Sequence, residues 1–183
     1  DTSVKGIPAS QSKTANVDIT LSSDVPTRNG YTFLGWNTKA DGKGTAYAAG
    51  AIYKNDQNGG TVTLYAQWKA NTYTVTYDAN GGTGTMAADT ATYDANYTAK
   101  ANTFTRTGYT FAGWNEKADG TGSNWTNYIG KPWKWTYTYN ITLYAVWTAN
   151  TYTVTLNANG GKVTPASITV TYDGTYKDLP TPT

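Results

Sequence analysis

Residues 71–76 read Asn-Thr-Tyr-Thr-Val-Thr, and the same letters return at residues 150–155. A second pair of matches lies elsewhere in the chain: Gly-Tyr-Thr-Phe-Leu-Gly-Trp-Asn at residues 30–37 returns with a single change at residues 108–115. Both offsets indicate a tandem repeat with a period of about 79 residues. The architecture of the chain is therefore predicted to be that of a repeat protein.

The period divides the chain into one whole repeat and two parts. Residues 71–149 form a complete repeat, residues 1–70 form a partial repeat that lacks the first strand, and residues 150–183 form the opening part of a third. A partial repeat leaves strand edges without partners, and such edges favour pairing with another chain.

Each repeat reads as short strands separated by turns. Tyr73, Val75 and Tyr77 alternate with threonines, which is the pattern of a half-buried strand. Asn80 and Gly81 follow, and both residue types tolerate the positive φ of a tight reversal. The segment around Ala91 is less clear and predicts either a strand or a short helical crossover.

The composition also favours strands. The chain contains 16 Tyr and 7 Trp against 3 Phe and one Met, and Glu116 is its single glutamate. Trp36 and Trp114 recur within the repeat and are interpreted as packing residues. Simple alternation along a strand would place Trp36 on the opposite face from Phe33, and Trp114 on the opposite face from Phe111. We predict an all-β or small α+β fold.

Charge and residue types exclude several functions. The net charge of +2 without a basic cluster does not favour nucleic acid, and no stretch is apolar enough to insert into a membrane. The chain has no Cys and no His, so the commonest metal ligands and general bases are missing. Asp-Gly at 41–42 and 119–120 is the chemistry of turns rather than of calcium loops. We predict no enzyme activity, metal site or cofactor.

Three motifs in residues 73–147 carry a resemblance to a known family. Tyr-Thr-Val-Thr-Tyr-Asp-Ala-Asn-Gly-Gly begins at residue 73, Arg-Thr-Gly-Tyr-Thr-Phe-Ala-Gly-Trp-Asn at 106, and Ile-Thr-Leu-Tyr-Ala-Val-Trp at 141. In this order they resemble the Listeria-Bacteroides repeat, also called the internalin B-repeat. The resemblance implies tandem β-grasp-like repeats, each with about four strands and at most one short helix. It also implies an extracellular location, on a bacterial cell surface or secreted, and a role as spacer or adhesion segment.

One segment, residues 123–140, is longer and more aromatic in the second repeat than in the first. On a strand, the side chains at 133, 135, 137 and 139 would share one face, where they could stack on a sugar ring or an apolar partner. The alternative is that they form the core of the repeat, which a small unit needs. The candidate ligand-binding residues are Trp125, Tyr128, Trp133, Trp135, Tyr137 and Tyr139.

Three functions remain open at this point. The favoured one is a stalk or spacer, since linkers of about four residues at 69–72 and 148–151 would limit motion between repeats. The second is recognition of a glycan, or of a host or neighbouring surface protein, by the aromatic segment. The third is self-association, in which a partial repeat of one molecule completes a partial repeat of another by donating a strand.

Overall fold

The structure is a computed structural model that describes residues 4–54, 59–176 and 179–183, and the regular secondary structure of these residues is almost entirely β-strand. Their one helical element is the 3-10 turn Thr126–Tyr128. The strands are β1 (Val4–Lys5), β2 (Ile19–Thr20), β3 (Thr27–Arg28), β4 (Tyr31–Asn37), β5 (Ala46–Tyr47), β6 (Ile52–Tyr53), β7 (Tyr65–Ala70), β8 (Thr72–Asp78), β9 (Asp89–Thr92), β10 (Asn96–Tyr97), β11 (Tyr109–Asn115), β12 (Trp133–Lys134), β13 (Ile141–Ala149), β14 (Thr151–Thr155) and β15 (Ser167–Thr171). The all-β prediction is confirmed.

The chain divides into two compact units whose boundary differs from that of the repeats. The N-terminal unit comprises Asp1–Tyr73, Thr90–Tyr97 and Lys134–Tyr139, and the C-terminal unit comprises Thr74–Asp89, Thr98–Trp133 and Asn140–Thr183. Two segments of the second repeat therefore belong to the same compact unit as the first repeat.

The main sheet of the second repeat has four strands in the order β11-β13-β8-β9. Strand β13 pairs antiparallel with β11 and parallel with β8, with Ile141 opposite Val75 and Leu143 opposite Tyr77. First and last strands of a repeat thus lie side by side, as at the centre of a β-grasp sheet. The segment around Ala91 is strand β9, so the alternative of a helical crossover is wrong.

The main sheet of the first repeat is built on β4. It has the order β1-β3-β4-β5, and β7 pairs antiparallel with β4 over its whole length. Strands β2 and β6 form a separate two-stranded ladder, and β14 pairs with β15 as an antiparallel hairpin in the third repeat.

A bulge occurs at the same place in both main sheets. The pairing of β4 with β7 shifts between Phe33 and Gly35, and the pairing of β11 with β13 shifts between Phe111 and Gly113. One extra residue returns the following side chains to the face that they would otherwise leave. Phe111 and Trp114 accordingly pack on the same face with ring centroids 4.9 Å apart. The expectation of opposite faces is wrong because simple alternation ignores the bulge.

Two Trp side chains of the second repeat donate their indole N–H groups to backbone carbonyls. Trp114 is fully buried and donates to the carbonyl of Lys100 at 2.9 Å. Trp147 donates to the carbonyl of Ala79 at 2.9 Å. A buried Trp or Tyr carries a polar atom that costs free energy unless it finds such a partner.

The Asp-Gly segments form turns, as predicted. In each main sheet a buried asparagine holds the turn: the Nδ2 of Asn37 donates to the carbonyls of Gly42 and Gly44, and Asn115 does the same for Gly120 and Gly122. The carboxylates of the turns accept backbone N–H groups two residues on. Within the described ranges, no three acidic side chains converge as metal ligands.

We predict that Leu143→Ala lowers the free energy of unfolding far more than Leu64→Ala at the equivalent position of the first repeat. Leu143 is fully buried, so the substitution should cost about 2–5 kcal/mol. Leu64 is only half-buried and should cost less than about half as much. Urea unfolding followed by Trp fluorescence measures both, and equal losses would contradict the difference in burial between Leu143 and Leu64.

Candidate functional site at the repeat junctions and the aromatic segment

The predicted aromatic set is divided between the two units. Its members do not form one continuous strand, because β12 includes only Trp133 and Lys134. In the C-terminal unit, Trp125 packs edge-on against Trp133 at 4.8 Å, and Tyr128 lies 4.6 Å from Trp133 between ring centroids. The indole N–H of Trp125 donates to Glu116 Oε1 at 2.9 Å.

The N-terminal unit holds the other members of the set. Trp135 contacts Tyr97 at 5.2 Å and Tyr137 at 5.3 Å between centroids, and Tyr137 in turn contacts Tyr139 at 5.5 Å. The indole N–H of Trp135 donates to the carbonyl of Tyr137 at 2.8 Å. The ring series is therefore ordered by contacts from one ring to the next.

Burial separates packing residues from exposed ones within the set. Trp125 and Trp135 are 1% and 0% exposed, so they belong to the core. Tyr128 is 40% exposed and Tyr139 is 53% exposed. In each unit, the aromatic residues thus include a buried tryptophan and a tyrosine that is exposed to solvent.

A second candidate site joins the first repeat to the second, and its centre is Asn71. This residue alone separates β7 from β8, so the predicted linker of about four residues is wrong. The backbone N–H of Asn71 donates to Gly30 at 2.9 Å, and its carbonyl accepts from Tyr93 at 2.9 Å. Its side-chain oxygen accepts from the hydroxyl of Thr32 at 2.6 Å. Three hydrogen bonds fix this one-residue linker.

Side chains reinforce this junction within the N-terminal unit. Tyr31 packs edge-on against Tyr93 at 5.5 Å, and its hydroxyl donates to Asp94 Oδ2 at 2.6 Å. The guanidinium of Arg28 lies 3.9 Å from the centroid of the Tyr31 ring. Lys134 also pairs with Asp94 at 3.1 Å.

The junction between the second and third repeats has the same construction within the C-terminal unit. Asn150 is again the only residue between two strands, and its backbone pairs with Gly108 and Tyr172 at 2.8 Å each. Thr110 donates to the side-chain oxygen of Asn150 at 2.6 Å. The hydroxyl of Tyr109 donates to Asp173 Oδ2 at 3.2 Å, and the Tyr109 and Tyr172 ring centroids are 5.6 Å apart. The guanidinium of Arg106 lies 4.0 Å from the centroid of the Tyr109 ring. The members of this second junction are Arg106, Gly108, Tyr109, Thr110, Asn150, Tyr172 and Asp173.

The Tyr–Asp hydrogen bond shifts the pKa of both partners. The bond to Asp94 raises the pKa of Tyr31, and partial burial adds to that shift. The bonds from Tyr31 and then Lys134 lower the pKa of Asp94. Both shifts favour a neutral phenol donating to an ionised carboxylate.

The sequence patterns did not single out Asp94 or Asp173, and the junction was missed. The signal was present, because Tyr-Asp at 93–94 and 172–173 recurs with the same period as the strands. Arg-x-Gly-Tyr at 28–31 recurs at 106–109. What the sequence did not show is that these two motifs meet.

We predict that Gly30→Ala disrupts the first junction, whereas Gly120→Ala does not. Both glycines have a left-handed backbone conformation, with φ of +74° at Gly30 and +77° at Gly120. An alanine is therefore strained by a similar amount, about 1–2 kcal/mol, at either position. A Cβ at Gly30 would collide with the ring of Tyr93, while a Cβ at Gly120 meets nothing within 4 Å.

Amide hydrogen exchange at Tyr93 distinguishes the two effects. Gly30→Ala should accelerate exchange at this amide relative to Gly120→Ala, since the ring must leave its place. Identical exchange in both variants would contradict the close packing of Tyr93 on Gly30.

Comparisons with known proteins place these features in a family. The model of the Listeria-Bacteroides repeat domain matches residues 2–67, 73–146 and 152–183. No helix in the described part of the chain is both long and apolar enough to cross a membrane. No solved structure matches the chain significantly.

Three relatives are similar over about two thirds or more of the chain. A protein of Evansella cellulosilytica, provisionally named a Gly-rich membrane protein, is 36% identical over 143 residues, which is 73% of this chain and 16% of that protein. A second protein of this organism, provisionally named a membrane protein, is 33% identical over 68% of the chain and 18% of its own length. Internalin H of Listeria monocytogenes is 35% identical over 69% of the chain and 21% of its own length.

The chain thus spans about a fifth or less of the length of these relatives. The family model matches three consecutive segments that together include most of the chain. The chain belongs to the Listeria-Bacteroides repeat family.

Proposed function

We propose that the chain is a non-enzymatic spacer segment of a bacterial surface or secreted protein, in which the junctions hold neighbouring repeats in a fixed arrangement. The observation that carries the proposal is the one-residue linker, which is fixed by the same hydrogen bonds at Asn71 and at Asn150. A linker that short, with its backbone and side chain both paired, has little freedom to rotate.

Other observations support a spacer over an enzyme. The polar groups that stand out in the structure, such as Asn37, Asn115 and Asp94, are engaged in turns and junctions. A spacer needs repeated contacts between neighbours, and nearest-neighbour contacts are what stabilise repeat arrays.

The extracellular location is part of the same proposal. Two relatives have names that describe membrane proteins, and a third is named Internalin H. A chain without Cys relies on non-covalent junctions for its stability, and the Tyr–Asp and Arg–Tyr contacts supply them.

The spacer proposal predicts a narrow distribution of distances between spin labels on the first and second repeats. Labels are placed by Lys43→Cys in the first repeat and Thr138→Cys in the part of the second repeat that belongs to the N-terminal unit, two exposed positions in a chain that has no other cysteine. Adding Tyr93→Ala with Asp94→Ala removes the ring and the carboxylate of the junction, and should broaden the distribution about twofold or more.

The matched control carries Tyr172→Ala with Asp173→Ala, which removes the equivalent ring and carboxylate from the second junction and leaves the first junction intact. The control should keep the narrow distribution. A broad distribution in the parent chain would contradict a fixed spacer.

A second candidate function, glycan recognition, is favoured by one observation. Tyr139 is 53% exposed, yet its ring is held by the series of contacts that starts at the buried Trp135. An exposed ring that is already ordered can stack on the apolar face of a sugar at little entropic cost.

We predict that Tyr139→Ala abolishes any glycan binding while leaving the fold intact. Truncation of so exposed a ring should change the free energy of unfolding by less than about 1 kcal/mol. The measurement is a titration of the chain with a panel of cell-wall and host glycans, followed by NMR. Tyr65→Ala, another exposed tyrosine at 41%, is the control. If no glycan shifts the resonances of the parent chain, this second function is wrong.

A further inference from the structure

The first and last strands of the second repeat overlap along part of their length. Strands β8 and β13 run parallel, with Val75 opposite Ile141 and Tyr77 opposite Leu143. The chain enters the repeat at the beginning of β8 and leaves it at the end of β13. Tension applied to the two ends of the repeat therefore pulls these strands past each other, along their own length.

This direction of pull is the one that a pair of strands resists best. Hydrogen bonds between parallel strands are evenly spaced, so a load along the strands falls on all of them together. A load across the strands opens the same bonds one after another, starting from one end. We call this overlap, residues 74–80 with residues 140–145, the lap joint.

An asparagine extends the lap joint at each end. The side-chain oxygen of Asn140 accepts the backbone N–H of Thr74 at 2.9 Å, immediately before the first strand pair. The side-chain amide of Asn80 donates to the carbonyl of Ala145 at 2.9 Å, just beyond the last strand pair. Both bonds connect the same two segments of the chain, so they share the load with the strand bonds.

The lap joint is shielded from water on its inner face and at both strand edges. Strand β8 is bordered by β9 on its other side and β13 by β11, so both are internal strands of the sheet. Val75 and Leu143 are fully buried, and Tyr77 and Ile141 are 6% and 4% exposed. A hydrogen bond that water cannot reach has no substitute partner while it is stretched, so it resists separation more strongly.

Tyr77 anchors β8 against sliding. Its hydroxyl donates to Asp89 Oδ2 at 3.2 Å and accepts the backbone N–H of Lys100 at 3.0 Å. Its ring centroid lies 5.0 Å from that of Trp114. Movement of β8 along β13 has to break these contacts together with the strand bonds, because close-packed side chains cannot pass one another freely.

We propose that the second repeat has a mechanical function, in which the lap joint bears tension between the ends of the repeat and protects residues 81–139 from it. While the lap joint holds, load passes from β8 directly into β13, and the segment between the two strands is bypassed. The use of this strength rests on the proposed spacer function, because a segment is put under tension only where it connects two attached parts.

Optical tweezers on the 183-residue chain test the proposal, with handles attached to pairs of introduced cysteines. Thr74→Cys with Thr148→Cys loads the lap joint along the strands, since these positions are on the order of 25 Å apart along the sheet and about 5 Å apart across it. Thr76→Cys with Lys117→Cys loads the same sheet across the strands, because Lys117 follows β11 on the far side of β13. All four positions are exposed, and the chain has no other cysteine.

The rupture force along the strands should be at least about twofold higher than the force across them. Both pairs of cysteines should leave the free energy of unfolding in urea unchanged, so a difference in force reports the direction of load. Rupture along the strands should release the segment between Thr74 and Thr148 in a single step, with a length of up to roughly 245–265 Å.

A second set of variants tests the asparagines at the ends of the lap joint. Asn80→Gly with Asn140→Ala removes both of their bonds across the joint, and glycine suits the φ of +46° at position 80. The rupture force along the strands should fall by roughly a third, the share of these two bonds among those loaded together. Asn102→Ala is the matched control, because its two side-chain bonds lie within residues 102–104, which the load bypasses.

Three results would overturn the proposal. They are equal forces in the two directions, release in several short steps before the main rupture, and a loss of force in the Asn80→Gly with Asn140→Ala variant no greater than in Asn102→Ala. The spacer proposal fails separately, since a broad spin-label distribution in the parent chain would remove the spacer role and leave these forces unchanged.

Discussion

The central constraint on this structure is that a single residue connects the last strand of one repeat to the first strand of the next. With one residue there is no loop to absorb a change of direction, so the closing strand and the opening strand must be placed together. Asn71 and Asn150 meet this requirement because their backbone and side chain bond to groups of both neighbouring repeats. Tyr–Tyr contacts and Tyr–Asp hydrogen bonds join the strands that flank each of these residues.

The unusual composition follows from the thinness of the repeats. A small sheet cannot bury aliphatic side chains deeply, so large rings that extend to the surface must close the core. Each such ring carries a polar atom that needs a partner. The indole groups of Trp114, Trp135 and Trp147 meet backbone carbonyls, and that of Trp125 meets a carboxylate. These four Trp side chains therefore supply large apolar surfaces while their indole N–H groups stay paired.

Much of the fold could be predicted from the sequence, because period and alternation are local properties. The repeat, the strand character of residues 73–77 and the Asp-Gly turns all follow from neighbouring residues. The bulges did not follow, since an extra residue between Phe111 and Gly113 is visible only in the pairing of two strands. The one-residue linkers were also missed, because the strands include polar residues at their ends that lie outside the apolar alternation, such as Lys69 and Thr72.

The candidate sites show the same limit. The sequence singled out the aromatic set but could not separate the buried Trp135 from the exposed Tyr139, because burial depends on contacts between distant parts of the chain, such as that of Trp135 with Tyr97. The junction residues Tyr31 and Asp94 lie 63 positions apart. Only the three-dimensional pairing of distant motifs could reveal that they act together.

The identity of the two junctions has a consequence for how such arrays change over generations. Every junction is formed by the end of one repeat and the beginning of the next, and the residues that form it are the same at Asn71 and at Asn150. Recombination between two copies of the coding sequence, at matching positions, adds or deletes whole periods and recreates an intact junction at the point of exchange. The length of the array can therefore change in integral steps, without any new contact having to evolve.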